Sequence, residues 1–351
     1  MNNWEIFKEK TEPHDGIENL PPPPSWRPFG HENRPGESRL KRRGETFQAR
    51  PDEVKMINAA LYLRRPLLVT GKPGTGKSSL AYAVARQLKL GEVLYWPITT
   101  RTTLKEGLYN YDAIGRLQEV KQQEQLNNQT ISPKGYREQI QQIEKYITLG
   151  PLGTALLPSK YPRVLLIDEI DKSDIDLPNN LLAILEEGLF EIPELVRIKK
   201  QVNKVTVRTA YSDETEAKTG SQMEAEIENG RITCTAFPLV VMTSNGERDF
   251  PAPFLRRCLP LRMKSPTQEE LTKIVIAHFN QNTAEQEKIQ ALIKNFVEAQ
   301  QDEKTLATDQ LLNAIFMVTK GRIPVTEGKS LFDDELVKQL LQDLGRVEAE
   351  D

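Results

Sequence analysis

The 351-residue sequence is short of several things that would point to particular chemistries. Its two cysteines, Cys234 and Cys258, are far apart and have no metal-type spacing, so both are expected to be reduced core residues. Histidine is scarce as well, and His14, His31 and His278 are too scattered to suggest a metal cluster. Charge of one sign is not in excess: 47 Lys+Arg against 50 Asp+Glu leave a net charge of -3. A global basic field that would draw in nucleic acid is therefore missing, and only a local basic groove stays open. No apolar run approaches the length needed to span a bilayer, and the start, Met1-Asn2-Asn3-Trp4-Glu5, lacks the basic and then apolar stretches of a signal peptide. The expectation is a cytoplasmic protein with no membrane partner.

What is present is ordinary for a globular protein, with 38% hydrophobic and 28% charged residues. The length suits about two domains, or one large domain with appendages. Residues 1–47 carry Pro21-Pro22-Pro23-Pro24, further prolines at 28 and 35 among others, and Lys41-Arg42-Arg43, with almost no apolar periodicity. They read as a disordered arm, its proline run either a linker or a polyproline II docking segment.

From residue 48 to 263, apolar strands alternate with amphipathic helices. Strands are expected at 66–70, 92–98, 164–168, 239–243 and 259–263, and Leu80, Val84 and Leu88 share one face of the helix after Lys77. Strands separated by helices imply a parallel sheet covered on both faces. Two segments break the rhythm. Residues 118–146, rich in Gln, Glu and Lys, suggest an exposed helical insert, and 205–237 suggests a hairpin of 205–209 with 231–235 around a long acidic tip. Residues 264–345 are helical in pattern, with a tail at 346–351. Ser265-Pro266-Thr267-Gln268 is read as an N-cap, a first-position proline and a capping-box Gln.

Four stretches carry chemistry. Gly71-Lys72-Pro73-Gly74-Thr75-Gly76-Lys77-Ser78 fits G-x-x-x-x-G-K-[ST] and lies between a strand and a helix, as a phosphate-binding loop must. Its glycines let backbone N–H groups curl around phosphates, Lys77 reaches the outer ones, and Ser78 offers a Mg2+ ligand, with Ser79 following on the same turn. ATP is the expected ligand. Val164-Leu165-Leu166-Ile167-Asp168-Glu169 ends an apolar strand in two acids, which neighbouring positions aim in opposite directions. Asp168 suits Mg2+ and Glu169 a general base, while Asp171 and Asp174 read as solvated or structural. Asn245, after Leu239-Val240-Val241-Met242-Thr243-Ser244, can orient water beside a terminal phosphate or merely start a turn. Arg256 and Arg257 precede the fifth strand. Either can stabilise a transferring phosphate on a neighbouring subunit or form a surface ion pair.

This order resembles the AAA+ ATPases. The segments Arg64-Arg65-Pro66-Leu67-Leu68-Val69-Thr70-Gly71, Asp168-Glu169-Ile170-Asp171-Lys172-Ser173-Asp174 and Phe254-Leu255-Arg256-Arg257-Cys258 are similar to the MoxR-like branch, over roughly residues 48–320. The resemblance implies a P-loop NTPase fold, a three-layer αβα domain with a five-stranded parallel sheet followed by a small all-helical lid. By the same resemblance Gly71–Ser78 is Walker A, Asp168 and Glu169 are Walker B, Asn245 is sensor 1, and Arg257, or Arg256, is the arginine finger. The implied assembly is a homo-oligomeric ring, commonly a hexamer, that uses ATP to remodel protein clients, often with a von Willebrand factor A-type partner. One departure stands out. Leu306-Ala307-Thr308-Asp309-Gln310-Leu311 lacks the sensor 2 arginine usual at the third lid helix. That leaves open a nucleotide-gated assembly switch, in a defence or signalling system, with little turnover.

Overall fold

The computed structural model describes residues 44–127, 142–211, 223–279, 281–284, 286–301, 305–320, 331 and 334–343, and nearer the N-terminus 6, 7, 13, 15–24 and 26. In chain order the elements used below are α1 (Pro51–Leu63), β1 (Leu67–Thr70), α2 (Lys77–Gln87), β2 (Leu94–Pro97), β3 (Tyr109–Tyr111) and α3 (Ala113–Asn127). Next come β4 (Ile147–Leu149), β5 (Val164–Asp168), α4 (Leu177–Glu187), β6 (Leu189–Glu191), β7 (Lys204–Arg208), β8 (Glu224–Glu228), β9 (Arg231–Thr233) and β10 (Leu239–Ser244). The chain continues through α5 (Ala252–Arg257), β11 (Leu259–Arg262), α6 (Gln268–His278), α7 (Glu287–Gln301) and α8 (Thr308–Thr319).

Five strands form one sheet in the order β11-β1-β10-β5-β2, every pairing parallel. The strands are continuous apolar runs because both faces are covered. Alternate side chains enter different cores. Leu67, Val69, Val164, Leu166, Leu239 and Val241 pack on one side with Leu80 and Val84 of α2. Leu68, Leu165, Ile167, Val240 and Met242 pack on the other with Leu181 and Leu185 of α4. This is the three-layer αβα arrangement expected of a P-loop fold. A third core, built on α6, α7 and α8, makes a helical unit after the sheet. Because all five strands run the same way, the ends of β1, β5 and β10 reach one edge, where ligands bind in open α/β sheets.

Several local expectations need correction. A second sheet, β3-β4-β7-β8-β9-β6, stands beside the first. Its strands β3, β4 and β6 are too short to register as periodic. The hairpin partner of β7 is β8, within the segment read as a loop tip, and Val205 faces Ile227 across it. The Arg231–Thr233 strand instead pairs with β6. Glu-Ala-Glu-Ile-Glu looks like an acidic loop, yet its inward positions bury Ile227 and half-bury Ala225 while the glutamates stay exposed. Most of the tip, residues 212–222, lies outside the described residues, as do 128–141 of the helical insert.

Leu88 sits past the end of α2 and is 46% exposed rather than on its buried face. The lid's first cap is Thr267, not Ser265: Thr267 Oγ1 accepts from the Glu270 N–H at 3.3 Å and Glu270 returns the bond at 2.8 Å. Ser-Pro-Thr-Gln-Glu-Glu holds two overlapping capping boxes, and the Thr-x-x-Glu one is used. Cys258 is buried, which pushes its thiol up to about 12, whereas Cys234 is only half-buried. Of the arm at 1–47, much lies outside the described residues, but Trp26 and residues 44–47 have defined places. Among the described residues no helix is long and apolar enough to cross a membrane.

Candidate functional site

The loop from β1 to α2 owes its shape to glycine. Gly74 and Gly76 hold φ of 73° and 89°, in the left-handed region where a Cβ is strained. A Cβ on Gly74 would also lie 2.6 Å from the Ala307 Cβ, so this glycine lets the loop touch the start of α8 in the lid. One on Gly76 would meet the Phe47 ring at 3.2 Å. The loop is thus pressed between the lid and the segment leading into α1.

Beneath it opens a cleft of about 1250 Å³. Pro73, Gly74, Thr75, Gly76, Lys77, Ser78 and Ser79 line it, facing Asp168, Glu169 and Asn245 from the ends of β5 and β10. Gly71 contributes its carbonyl, which accepts from Lys77 Nζ at 2.8 Å. The same ammonium donates to the Lys72 carbonyl at 3.0 Å and to Asn245 Oδ1 at 2.8 Å. Burial lowers the Lys77 pKa from its ordinary 10.5, against the pull of Asp171, Asp168 and Glu169. An ammonium with its water stripped away, held by neutral carbonyls, suits an arriving polyanion.

Asp168 is the hub of the acidic side. Its Oδ1 accepts from Ser78 Oγ at 2.7 Å and from Thr243 Oγ1 at 2.6 Å, and Tyr95 OH reaches Oδ2 at 3.4 Å. Thr243 Oγ1 also accepts from the Glu169 N–H at 2.9 Å, tying the two strand ends together. Glu169 itself takes φ of 61°, an unusual left-handed conformation for a residue with a side chain, and its carboxylate pairs with Lys172 at 2.8 Å.

Among the described residues no group of three or more His, Cys, Asp or Glu is placed to hold a metal unaided. Ser78 and Asp168 nevertheless offer hard oxygen donors already in contact, the kind of partial set to which Mg2+ is bound when phosphates and water complete its shell. The residues fit that ion.

Arg256 and Arg257 are not brought to this cleft. Both sit at the end of α5, and Arg257 Nε bonds Glu186 of α4 while its Nη1 donates to the Pro253 carbonyl at 3.3 Å. Of the two readings of Asp171, solvated or structural, the structural one holds: it is 5% exposed and its Oδ2 accepts from the Asn245 N–H at 2.9 Å.

Spacing did not reveal the other walls of the cleft. Trp26, Phe47, Arg50, Glu53, Glu270, Thr308 and Asp309 all line it. Arg50 donates to both oxygens of Glu270, at 2.7 and 2.6 Å, and to the carbonyls of Lys264 and Ser265 at 3.0 and 3.3 Å. This joins the start of α1 to the hinge of the lid. Thr243 could have been suspected from its place two residues before Asn245; the pairing of Arg50 with Glu270, 220 residues apart, leaves no local signal.

A P-loop between a parallel sheet and a helical unit, with its serine bonded to a strand-end carboxylate and its lysine to Asn245 after the neighbouring strand, defines a nucleoside-triphosphate-binding protein of the AAA+ type. Residues 66–257, more than half of the chain, match the family described as AAA domain (dynein-related subfamily). The chain belongs to that family of ATP-binding ATPases. No curated protein matches it.

Proposed function

We propose that this chain hydrolyses Mg-ATP as a MoxR-like AAA+ ATPase and, in a homo-oligomeric ring, remodels partner proteins, a von Willebrand factor A-type protein among the candidates. The observation that carries the reading is that Lys77 bonds Asn245 and Ser78 bonds Asp168, at 2.8 and 2.7 Å, along one wall of the cleft at the sheet edge. The glycine-rich loop and the first turn of α2 would take the phosphates on backbone N–H groups, with Lys77 leaving its carbonyl partners for the outer phosphates. Ser78 and Asp168 would hold Mg2+, which when bound supplies charge neutralisation to the phosphate oxygens. Glu169, released from Lys172, accepts a proton from the attacking water, and the Asn245 amide orients that water. At the other end, Phe47, Ile274 and Leu312 give an apolar face for a planar base.

Arg257 does not line this cleft and pairs with Glu186 of α4, a place from which it would serve an adjacent subunit. Removing such an arginine costs about 10³ to 10⁵ in rate, and removing a general base about 10² to 10⁴. Arg257→Ala and Glu169→Gln should each be nearly inactive alone, yet regain activity when mixed, because one interface then combines an intact Glu169 with an intact Arg257. Turnover measured on the mixture, with mass in solution under Mg-ATP, tests both claims. If mixing restores nothing, the shared site is wrong.

A second reading, a nucleotide-gated assembly switch with little turnover, is favoured by the lid. Thr308 and Asp309 line the cleft where an arginine would close on the phosphates. A wild-type chain that assembles with ATP but releases no phosphate, with or without partners, would select it.

A further inference from the structure

Asp171 has the least explained environment in the site. It is 5% exposed, on a short 3-10 turn (Ile170–Lys172) directly after Glu169. Its Oδ2 accepts two backbone N–H groups, from Asn245 at 2.9 Å and from Glu247 at 3.1 Å. Its Oδ1 is buried with no hydrogen-bond partner among the described residues. Leaving a buried carboxylate oxygen unpaired is costly, and a residue kept at that cost calls for a reason beyond packing.

The reason lies in what those two N–H groups carry. They belong to the turn that leaves β10, and the side chain on the first is the amide whose oxygen meets Lys77 at 2.8 Å. No helix or strand holds Asn245 or Glu247, since β10 ends at Ser244 and Gly246 follows with φ of 80°. A glycine turn of this kind is free to swing unless something grips its backbone. Asp171 grips it at two points from the end of the neighbouring strand.

We propose that Asp171 is a positioning residue: it clamps the backbone of the turn after β10, and thereby holds the Asn245 amide toward Lys77 and the terminal-phosphate position. This rests on the reading of the cleft as a nucleotide site. The effect on turnover runs through Asn245, not through contact with substrate. Misplacing a catalytic group by about 1 Å can cost about a hundredfold in rate.

The test uses the full-length protein with Asp171→Ala, Asp171→Asn, Asn245→Ala and the Asp171→Ala/Asn245→Ala double variant. Three quantities are read: turnover of Mg-ATP, affinity for a slowly hydrolysed ATP analogue, and hydrogen exchange of the 244–248 backbone. Asp171→Ala should lower kcat at least about tenfold, leave analogue affinity within about threefold, and speed exchange in 244–248. Asp171→Asn keeps an oxygen acceptor for the two N–H groups, so it should recover most of kcat and restore slow exchange. In the Asn245→Ala background, Asp171→Ala should cost nothing further. Additive losses in the double variant overturn the proposal. So does an Asp171→Ala chain whose 244–248 exchange matches wild type, or an Asp171→Asn chain as slow as Asp171→Ala. The exchange readout stands apart from hydrolysis: a wild-type chain that turns over no ATP defeats the functional reading, while exchange in the variants still decides whether Asp171 holds the turn.

Discussion

The two ends of the cleft are built on opposite principles. At the phosphate end, Lys77 and Ser78 are neighbours in sequence, and Asp168 and Asn245 arrive on strands two places apart or closer to β1 in one parallel sheet. Local turn geometry and strand register put them there. At the far end, nothing is local. Trp26 donates from its indole N–H to Asn313 of α8 at 3.0 Å, and its ring packs on Phe279, His278 and Phe316 at centroid distances of 5.4, 5.7 and 5.9 Å. The residues matched to the AAA domain family, 66–257, contain the first end and none of these. The contrast teaches that the phosphate-loop end of the cleft lies wholly within the matched family domain, while its far wall is made by segments before and after it.

The contrast breaks most readily at Lys77. Lys77→Ala removes the cation from the phosphate end and should weaken Mg-ATP about a hundredfold in calorimetry, since hydrogen bonds from a charged donor are worth about 1.5 to 3 kcal/mol. The melting temperature of the ligand-free protein should change little or rise, because the ammonium is held dehydrated. Trp26→Ala reverses the pattern. It strips a half-buried ring from the lid core and should cost about 2 kcal/mol in thermal unfolding, below the 3 to 5 typical of a fully buried aromatic. Its effect on nucleotide affinity should be much smaller than that of Lys77→Ala. Were Trp26→Ala to abolish binding while leaving the melting temperature untouched, the division between the two ends would be false.

This division also marks what sequence could show. The parallel sheet was legible because each central strand is a short apolar run bounded by turn residues, and so was the meeting of Lys77, Ser78, Asp168 and Asn245, because parallel strands that end at one edge leave little freedom. The pairing of β7 was not. Residues 224–228 and 231–233 both alternate, and a strand bearing three glutamates scores as loop unless its inward Ala225 and Ile227 are weighed alone. Asp171 could be read only as solvated or structural because its partners are backbone groups, which no side-chain motif encodes. Trp26 was an isolated aromatic in a proline-bearing stretch with no period, and its hydrogen-bond partner is 287 residues away. At the family level the AAA+ resemblance agrees with the match over 66–257, and it was carried by local motifs.

The smallest effect sharpens the far end further, at the hinge between α1 and α6. Arg50 holds the Glu270 carboxyl below its ordinary 4.5, chiefly through their hydrogen bonds. A carboxyl depressed in the folded state binds protons more readily in the unfolded one, so its stabilisation is present above pH 4.5 and drains away as the pH falls through its folded value. Glu270→Gln should therefore melt slightly below wild type at pH 7, by less than about 1 kcal/mol because the pair is partly exposed and screened. The difference should shrink as the pH is taken below 4.5, where wild type loses the same charge. Raising salt at pH 7 should narrow it too. A difference that persisted unchanged in acid would mean that the Glu270 charge does not carry the effect, and that α1 is joined to the segment before α6 by the Arg50 contacts with the Lys264 and Ser265 carbonyls.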